Sequence, residues 1–166
     1  MAKQSESPKK EKDDELTVKV MYINRCSKVV KGGRKFSFSA LIVVGNGKGK
    51  VGCGFGKGNE LTDAISKGED AARKNIITCA FEGTTIPYEM TSRCDGATLL
   101  FKPAPPGTGI IAGTKPGAVL ELAGYKDVMI KNLGARNPVN QVYAAFKALK
   151  QFIPREEVMQ MRGTNK

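Results

Sequence analysis

Two periodicities divide this chain. Between residues 16 and 58, apolar side chains take every second position: Leu16, Val18, Val20 and Tyr22, then Phe36, Phe38, Ala40, Ile42 and Val44, then Val51, Cys53 and Phe55. A period of two sets side chains alternately on the two faces of a sheet, so strands are predicted over 16–30, 36–44 and 50–55. Gly32-Gly33 and Asn46-Gly47 separate them, and both are hairpin signals because glycine reaches positive φ without steric penalty. Beyond Asn59, a helix-capping residue type, the period changes. Leu61, Ala64, Ile65, Gly68, Ala72, Ile76 and Cys79 recur at spacings of three and four, the stripe of one helix.

Three strands and a helix make residues 16–81 one unit, close in layout to a double-stranded-RNA-binding module. Residues 82–85 read as a linker. Asp95-Gly96 centres a hairpin of strands 86–93 and 97–102. A loop over 103–109, a short apolar element over 110–113, a short helix over 116–124 and a strand over 127–131 follow. Asn137-Pro138 opens a second helix, with cap and then proline at its first position, and Val139, Val142, Tyr143, Phe146 and Leu149 form its inward face. The predicted class is α+β: two small α/β domains, a double-stranded-RNA-binding-like one over 16–81 and a ββαβα-type one over 86–153. A short helix and tail complete 154–166. Residues 1–15 are polar, mixed in charge and aperiodic, and read as a disordered tail.

Charge narrows the function. Lys and Arg number 27 against 16 Asp and Glu, a net charge of +11. An excess of that size favours nucleic acid or an anionic membrane as partner. No apolar run approaches the roughly 20 residues of a membrane span. The beginning of the chain lacks a signal-peptide apolar region, and its acidic residues oppose a transit peptide, so a cytosolic protein without a membrane partner is expected. The cysteines at 26, 53, 79 and 94 fit no zinc spacing, and there is no histidine to share ligation. Cys53 and Cys79 sit in apolar periodic settings and read as reduced core residues.

The chemical motifs fail on context. GKGKVG (47–52) matches a dinucleotide fingerprint, but that fingerprint needs a strand before it and a helix after it, and here it joins two strands. PPGTG (105–109) begins like a phosphate-binding loop, but Ile110 and Ile111 stand where Lys and Ser or Thr would reach phosphate and magnesium. The carboxylates, among them Asp63, Glu69, Glu121 and Asp127, are scattered without paired spacing. Absence of histidine removes every Ser-His or Cys-His dyad. No catalytic residue, metal, cofactor or small-molecule substrate is expected.

The basic turns survive. Lys28, Lys31, Arg34 and Lys35 lie within eight positions beside Gly32 and Gly33, and no acidic residue occurs between 16 and 58. A solvated charge cluster would interleave both signs. The expected RNA-binding set is Arg25, Lys28, Lys31, Arg34, Lys35, Lys48, Lys50 and Lys57 on phosphates. Gly32, Gly33, Gly47 and Gly49 allow close backbone approach, and Asn46 belongs to the second turn. Gly52, Gly54 and Gly56 share a bare strand face, open either to a packed helix or to a phosphate chain. Lys67, Arg73 and Lys74 lie off the helix stripe, as a solvated face or as phosphate contacts.

One stretch, KGGRKFSFSALIVVGNGKGKVGCGFG over 31–56, resembles the signature of the family of the fifth protein of the small ribosomal subunit, in its bacterial form. GTGIIAG (107–113), AVLELAG (118–124) and NPVN (137–140) agree with it in order, so the likeness covers about 16–152. It implies a cytoplasmic, non-enzymatic constituent of the ribosome that binds small-subunit ribosomal RNA at the body–head junction. It also implies contacts with small-subunit proteins four and eight, support of translational accuracy, and a place near the messenger RNA entry site. In the family the first hairpin, here 28–35, reaches toward the neck RNA, and changes there are linked to spectinomycin resistance. The protein-four interface maps onto Gly109, Ile110, Ile111, Lys115, Gly117 and Asn137. The family usually carries arginine where Gly117 stands, and serine where Ala135 stands. From the residues alone, a free-standing double-stranded-RNA binder and a nucleotide-using enzyme remain as other readings.

Overall fold

A computed structural model describes residues 16–163; the tail expected over 1–15 lies outside the described residues. The first sheet is antiparallel in the order β1-β2-β3-β4, from β1 (Thr17–Val30), β2 (Gly33–Gly45), β3 (Lys50–Gly58) and β4 (Ile76–Thr78). Helix α1 (Leu61–Lys74) lies between β3 and β4. The second sheet has the order β5-β6-β8-β7, from β5 (Met90–Cys94), β6 (Ala97–Pro103), β7 (Ile110–Ile111) and β8 (Val128–Asn132). In it β7 and β8 run parallel, joined through α2 (Thr114–Ala123). Helices α3 (Pro138–Gln151) and α4 (Arg155–Met161) follow. The α+β class with two sheet-and-helix units stands, and β4 and β7 add a short strand to each.

The period-two segments fill the first sheet on both faces. Ala40, Ile42 and Val44 bury one face against Ala64 and Ala72 of α1. Leu41, Val43, Val51 and Cys53 bury the other in a cluster with Val119 and Leu120 of α2, Val142 and Leu149 of α3, and Leu99 and Phe101 of β6. The helices α2 and α3 therefore lie between the two sheets, giving four layers: α1, first sheet, α2 with α3, second sheet. A helix apolar all round belongs in such an interior, and seven of the ten residues of α2 are buried. On α3 the buried set includes Ala144, Ala145 and Ala148 beside Val142 and Leu149. The small alanines let β5 and β6 approach one side of the helix while the other faces the first sheet. Ser92 on β5 donates its hydroxyl to the Ala144 carbonyl at 2.9 Å.

Glycines set the closest approaches. Cβ atoms at Gly52, Gly54 and Gly56 would overlap the backbone oxygens of Ala72, Gly68 and Ala64 on α1. The bare face of β3 thus packs on a helix, which settles that alternative against a phosphate chain. On the opposite side, the β2–β3 turn docks on the end of α2. The Gly47 N–H donates to the Leu122 carbonyl at 2.9 Å, and the Gly49 N–H to the Ala123 carbonyl at 2.8 Å. Gly124 caps α2 at φ 101° and leaves room for the Gly47 carbonyl. The start of β1 is tied to the same helix: Lys19 pairs with Glu121 at 2.7 Å, and the Lys115 ammonium donates to the Met21 carbonyl at a β-bulge.

Several local expectations are corrected. Helix α1 ends at Lys74, so Ile76 and Cys79 are not on its stripe. Asn75 closes the helix, and the β-branched pair Ile76-Ile77 prefers the strand it forms beside β3. The N-cap is Glu60, without a side-chain cap, rather than Asn59. The strand expected from 86 begins at Met90, since Pro87 has no N–H for a ladder. Residues 82–85 are no free linker. Glu82 and Thr85 bridge each other, the Thr84 hydroxyl donates to Asp127 at 2.6 Å, and the Thr85 Oγ1 accepts from the Ala104 N–H.

Cys53 and Cys79 are buried and free, as expected. Burial pushes both thiols up to about 12, so neither is a thiolate at neutral pH.

The glycine packing predicts the outcome of one substitution. Gly54→Ala places a methyl group against helix backbone that has no rotamer to move. It should destabilise by roughly 1–3 kcal/mol, about 2–12 °C in Tm. Gly117→Ala, where an added Cβ meets only ordinary van der Waals contacts at 3.5 Å and beyond and φ is not positive, controls for the loss of a glycine as such. Thermal denaturation followed by circular dichroism checks both, and an unshifted Gly54→Ala would contradict the helix-on-sheet contact.

Candidate nucleic-acid interface

β1 pairs with β2 from Thr17↔Gly45 to Val30↔Gly33, whereas β2 pairs with β3 only from Gly45↔Val51 to Phe38↔Gly58. The outer part of the β1–β2 hairpin therefore projects beyond the sheet as a two-stranded ribbon. Its loop is Lys31-Gly32, with Gly32 at φ 90° and Gly33 at φ 151°. Arg25, Lys28, Lys31, Arg34 and Lys35 are all exposed on this ribbon. Among the described residues, none of the five lies in an ion pair. Lys28 and Lys35 stand directly opposite each other in the ladder. Like charges at such a pair repel, and a bound anion relieves the repulsion. Lys57, exposed opposite Ser39, extends the basic surface to the base of the ribbon.

The second basic turn is elsewhere. Asn46, Lys48 and Lys50 lie at the other end of β2, about 40 Å from the hairpin tip at ~3.3 Å per strand residue. The two turns do not form one platform. Asn46 Oδ1 accepts from the N–H groups of Lys48 at 2.8 Å and Lys50 at 3.0 Å, closing its own turn. Gly47 and Gly49 direct their N–H groups into α2. The sequence signal of glycine beside lysine is the same in both turns, but here the glycines build an internal clamp. The Lys48 and Lys50 side chains are exposed. On α1, Arg73 pairs with Glu69 at 2.9 Å, one turn away, while Lys67 and Lys74 are exposed.

Several of the residues expected at a protein interface make contacts within the chain. The Gly109 N–H donates to Asp127 Oδ1 at 3.0 Å, and the Gly107 N–H donates to the same oxygen at 2.9 Å. Lys115 is held at Met21, Gly117 is buried beside Ile110 and Ala112, and Asn137 Oδ1 caps α3 through the Val139 N–H at 3.1 Å. Ile110 is half-buried on β7, and Ile111 is 49% exposed. Asp127, which sequence spacing does not single out, organises this loop. The Thr84 hydroxyl, then the Gly109, Gly107 and Thr108 N–H groups, hold its carboxyl below the usual carboxylate range against the opposing effect of burial.

The model of the N-terminal domain of ribosomal protein S5 matches residues 16–79, and that of the C-terminal domain matches residues 92–162. The chain is 66% identical to small ribosomal subunit protein uS5 of Protochlamydia amoebophila over 166 residues, covering 98% of this chain and 99% of that one. It is 60% identical to the uS5 of Chlamydia felis over 152 residues (91% and 92% of the two chains), and 58% identical to that of Chlamydia trachomatis over 153 residues (92% and 93%).

Asp127 gives the loop a pH dependence of known sign. A carboxyl with a lowered folded pKa stabilises the fold above its unfolded pKa of about 3.9, and this contribution disappears as pH falls through the folded value. The stability gap between wild type and Asp127→Asn should be constant between pH 7 and about pH 5 and close below about pH 4. Urea denaturation across that range measures it, and a gap independent of pH would remove the carboxylate charge from the account.

Proposed function

This chain belongs to the ribosomal protein S5 family, and from that premise we propose that its hairpin ribbon holds small-subunit ribosomal RNA by the phosphate backbone. The family makes it a structural, non-enzymatic component of the small ribosomal subunit, acting in translation in the cytoplasm. The observation that carries the finer reading is the ribbon itself: five exposed cations run from its base at Arg25 to its turn at Lys31, within a stretch free of acidic residues. Arg25, Lys28, Lys31, Arg34 and Lys35 position the RNA, with Lys57 at the ribbon base. Gly32 and Gly33 leave the backbone bare beside Lys31, so that RNA can approach the tip closely. Lys48 and Lys50 serve as a separate contact at the far end of β2, with Asn46 holding their turn.

The second unit supplies protein contacts in this reading. The loop held by Asp127 presents Ile111 and the edge strand β7 to neighbouring protein four. Protein eight and messenger RNA near the entry site complete the partners. The four packed layers make the molecule a strut between RNA and protein neighbours, which is how it supports accuracy.

Binding to small-subunit ribosomal RNA across a salt series tests the ribbon. The Lys31→Ala/Arg34→Ala/Lys35→Ala variant should bind more weakly, with its salt slope flattened by roughly 0.7–0.9 for each phosphate that it no longer neutralises. An unchanged slope would move the RNA site to α1, with Lys67 and Lys74, or to the second unit.

A further inference from the structure

The two faces of the ribbon differ. The register places Lys28 opposite Lys35 and Cys26 opposite Ser37 on one face. The other carries Arg25, Ser27 and Val29 opposite Phe38, Phe36 and Arg34. On that second face Phe36 is 46% exposed and Val29 is 76% exposed, and the Arg25 guanidinium carbon lies 3.7 Å from the centroid of the Phe36 ring. At that distance the guanidinium rests on the ring face in van der Waals contact. Arg25 is itself exposed, so the pair offers solvent a flat, cationic, apolar surface. Helix α1 packs on β2 and β3 and leaves this part of the ribbon uncovered.

We propose that Arg25 and Phe36 form a stacking platform for an unpaired nucleobase, so that the ribbon takes RNA carrying a bulged or looped-out nucleotide in preference to uniform duplex. This rests on the phosphate reading above and refines it at one residue: the Lys28–Lys35 face meets the backbone, while Arg25, seated on Phe36, turns from phosphate to base. The five cations and the absence of acid select a polyanion over a protein or a neutral surface. Aromatic rings and arginine planes are the surfaces on which single-stranded RNA bases stack, and paired bases expose no such face. Val29, across from Arg34, extends the apolar strip toward the tip.

The test uses the full chain and two RNA duplexes of roughly 16 base pairs, identical except that one carries a single bulged 2-aminopurine. Wild type should bind the bulged duplex about tenfold or more tightly and change the fluorescence of the bulged base on binding. Phe36→Leu keeps a β-compatible apolar side chain and should erase both the preference and the fluorescence change while keeping the affinity for plain duplex. Phe36→Trp should restore them. A preference that survives Phe36→Leu, or equal weakening on both RNAs, would overturn the platform and leave Phe36 as a support of the ribbon. Lys28→Ala/Lys35→Ala reports separately on the backbone reading: it should flatten the salt slope equally on both RNAs. An unchanged slope together with a preference still abolished in Phe36→Leu would remove the phosphate contacts and keep the stacking.

Discussion

The structure depends on backbone meeting backbone where side chains are missing. The first sheet is covered on both faces, and glycine permits each covering. Gly52, Gly54 and Gly56 admit α1 along β3, and Gly45 and Gly124 admit the end of α2 at the β2–β3 turn. A methyl group on the bare face of β3 would enter the van der Waals radius of a main-chain oxygen, and close-packed interiors do not yield to that without a shift of whole elements. The reward for this closeness is a small apolar cluster under α1 and, on the other face, a large one that runs from Met21 on β1 to Phe152 beyond α3. The two units are thereby parts of one core.

That constraint also sorts the charged turns. Both hairpin connections of the first sheet are glycine-rich and lysine-rich, and only their place in the fold separates their roles. The β2–β3 turn lies where α2 arrives, so its N–H groups are taken by helix carbonyls. The β1–β2 turn lies beyond the last rung of β3, clear of the helices that cover the sheet. The basic excess of the first half is left most concentrated on the ribbon. Opposed Lys28 and Lys35 are tolerable there because solvent screens them, and they favour an anion between them.

Much of this is legible in the sequence, for identifiable reasons. Strands β1 to β3 follow from a period of two held over long runs, and α3 from a proline-capped stripe of large residues. The sequence misleads where two templates overlap. Ile76 and Cys79 continue the helical spacing of α1, yet β-branching and the cap at Asn75 decide for a strand. Ile86 looks like the start of a strand, yet Pro87 interrupts the ladder. The glycines of the second basic turn read as room for a phosphate chain because local composition cannot report a helix that arrives about seventy residues later. Asp127 escapes notice for the same reason. Its partners, Thr84 on one side and Gly107 and Gly109 on the other, are adjacent only in the fold. Lys115 and Asn137 likewise have partners within the chain, at Met21 and Val139, that a motif read along the sequence does not disclose.

The shared core sets an order of events during synthesis. Leu41, Val43, Val51 and Cys53 are complete on the chain well before Val119, Leu120, Val142 and Leu149, their partners in the cluster, have been made. At typical elongation rates of about 5–20 residues per second, the ninety or so residues in between take roughly 5–20 s to emerge. For that interval the first sheet can be closed by α1 on one side but must show its other apolar face to the surroundings. The lasting shelter of the nascent N-terminal half thus comes from the later helices of its own chain.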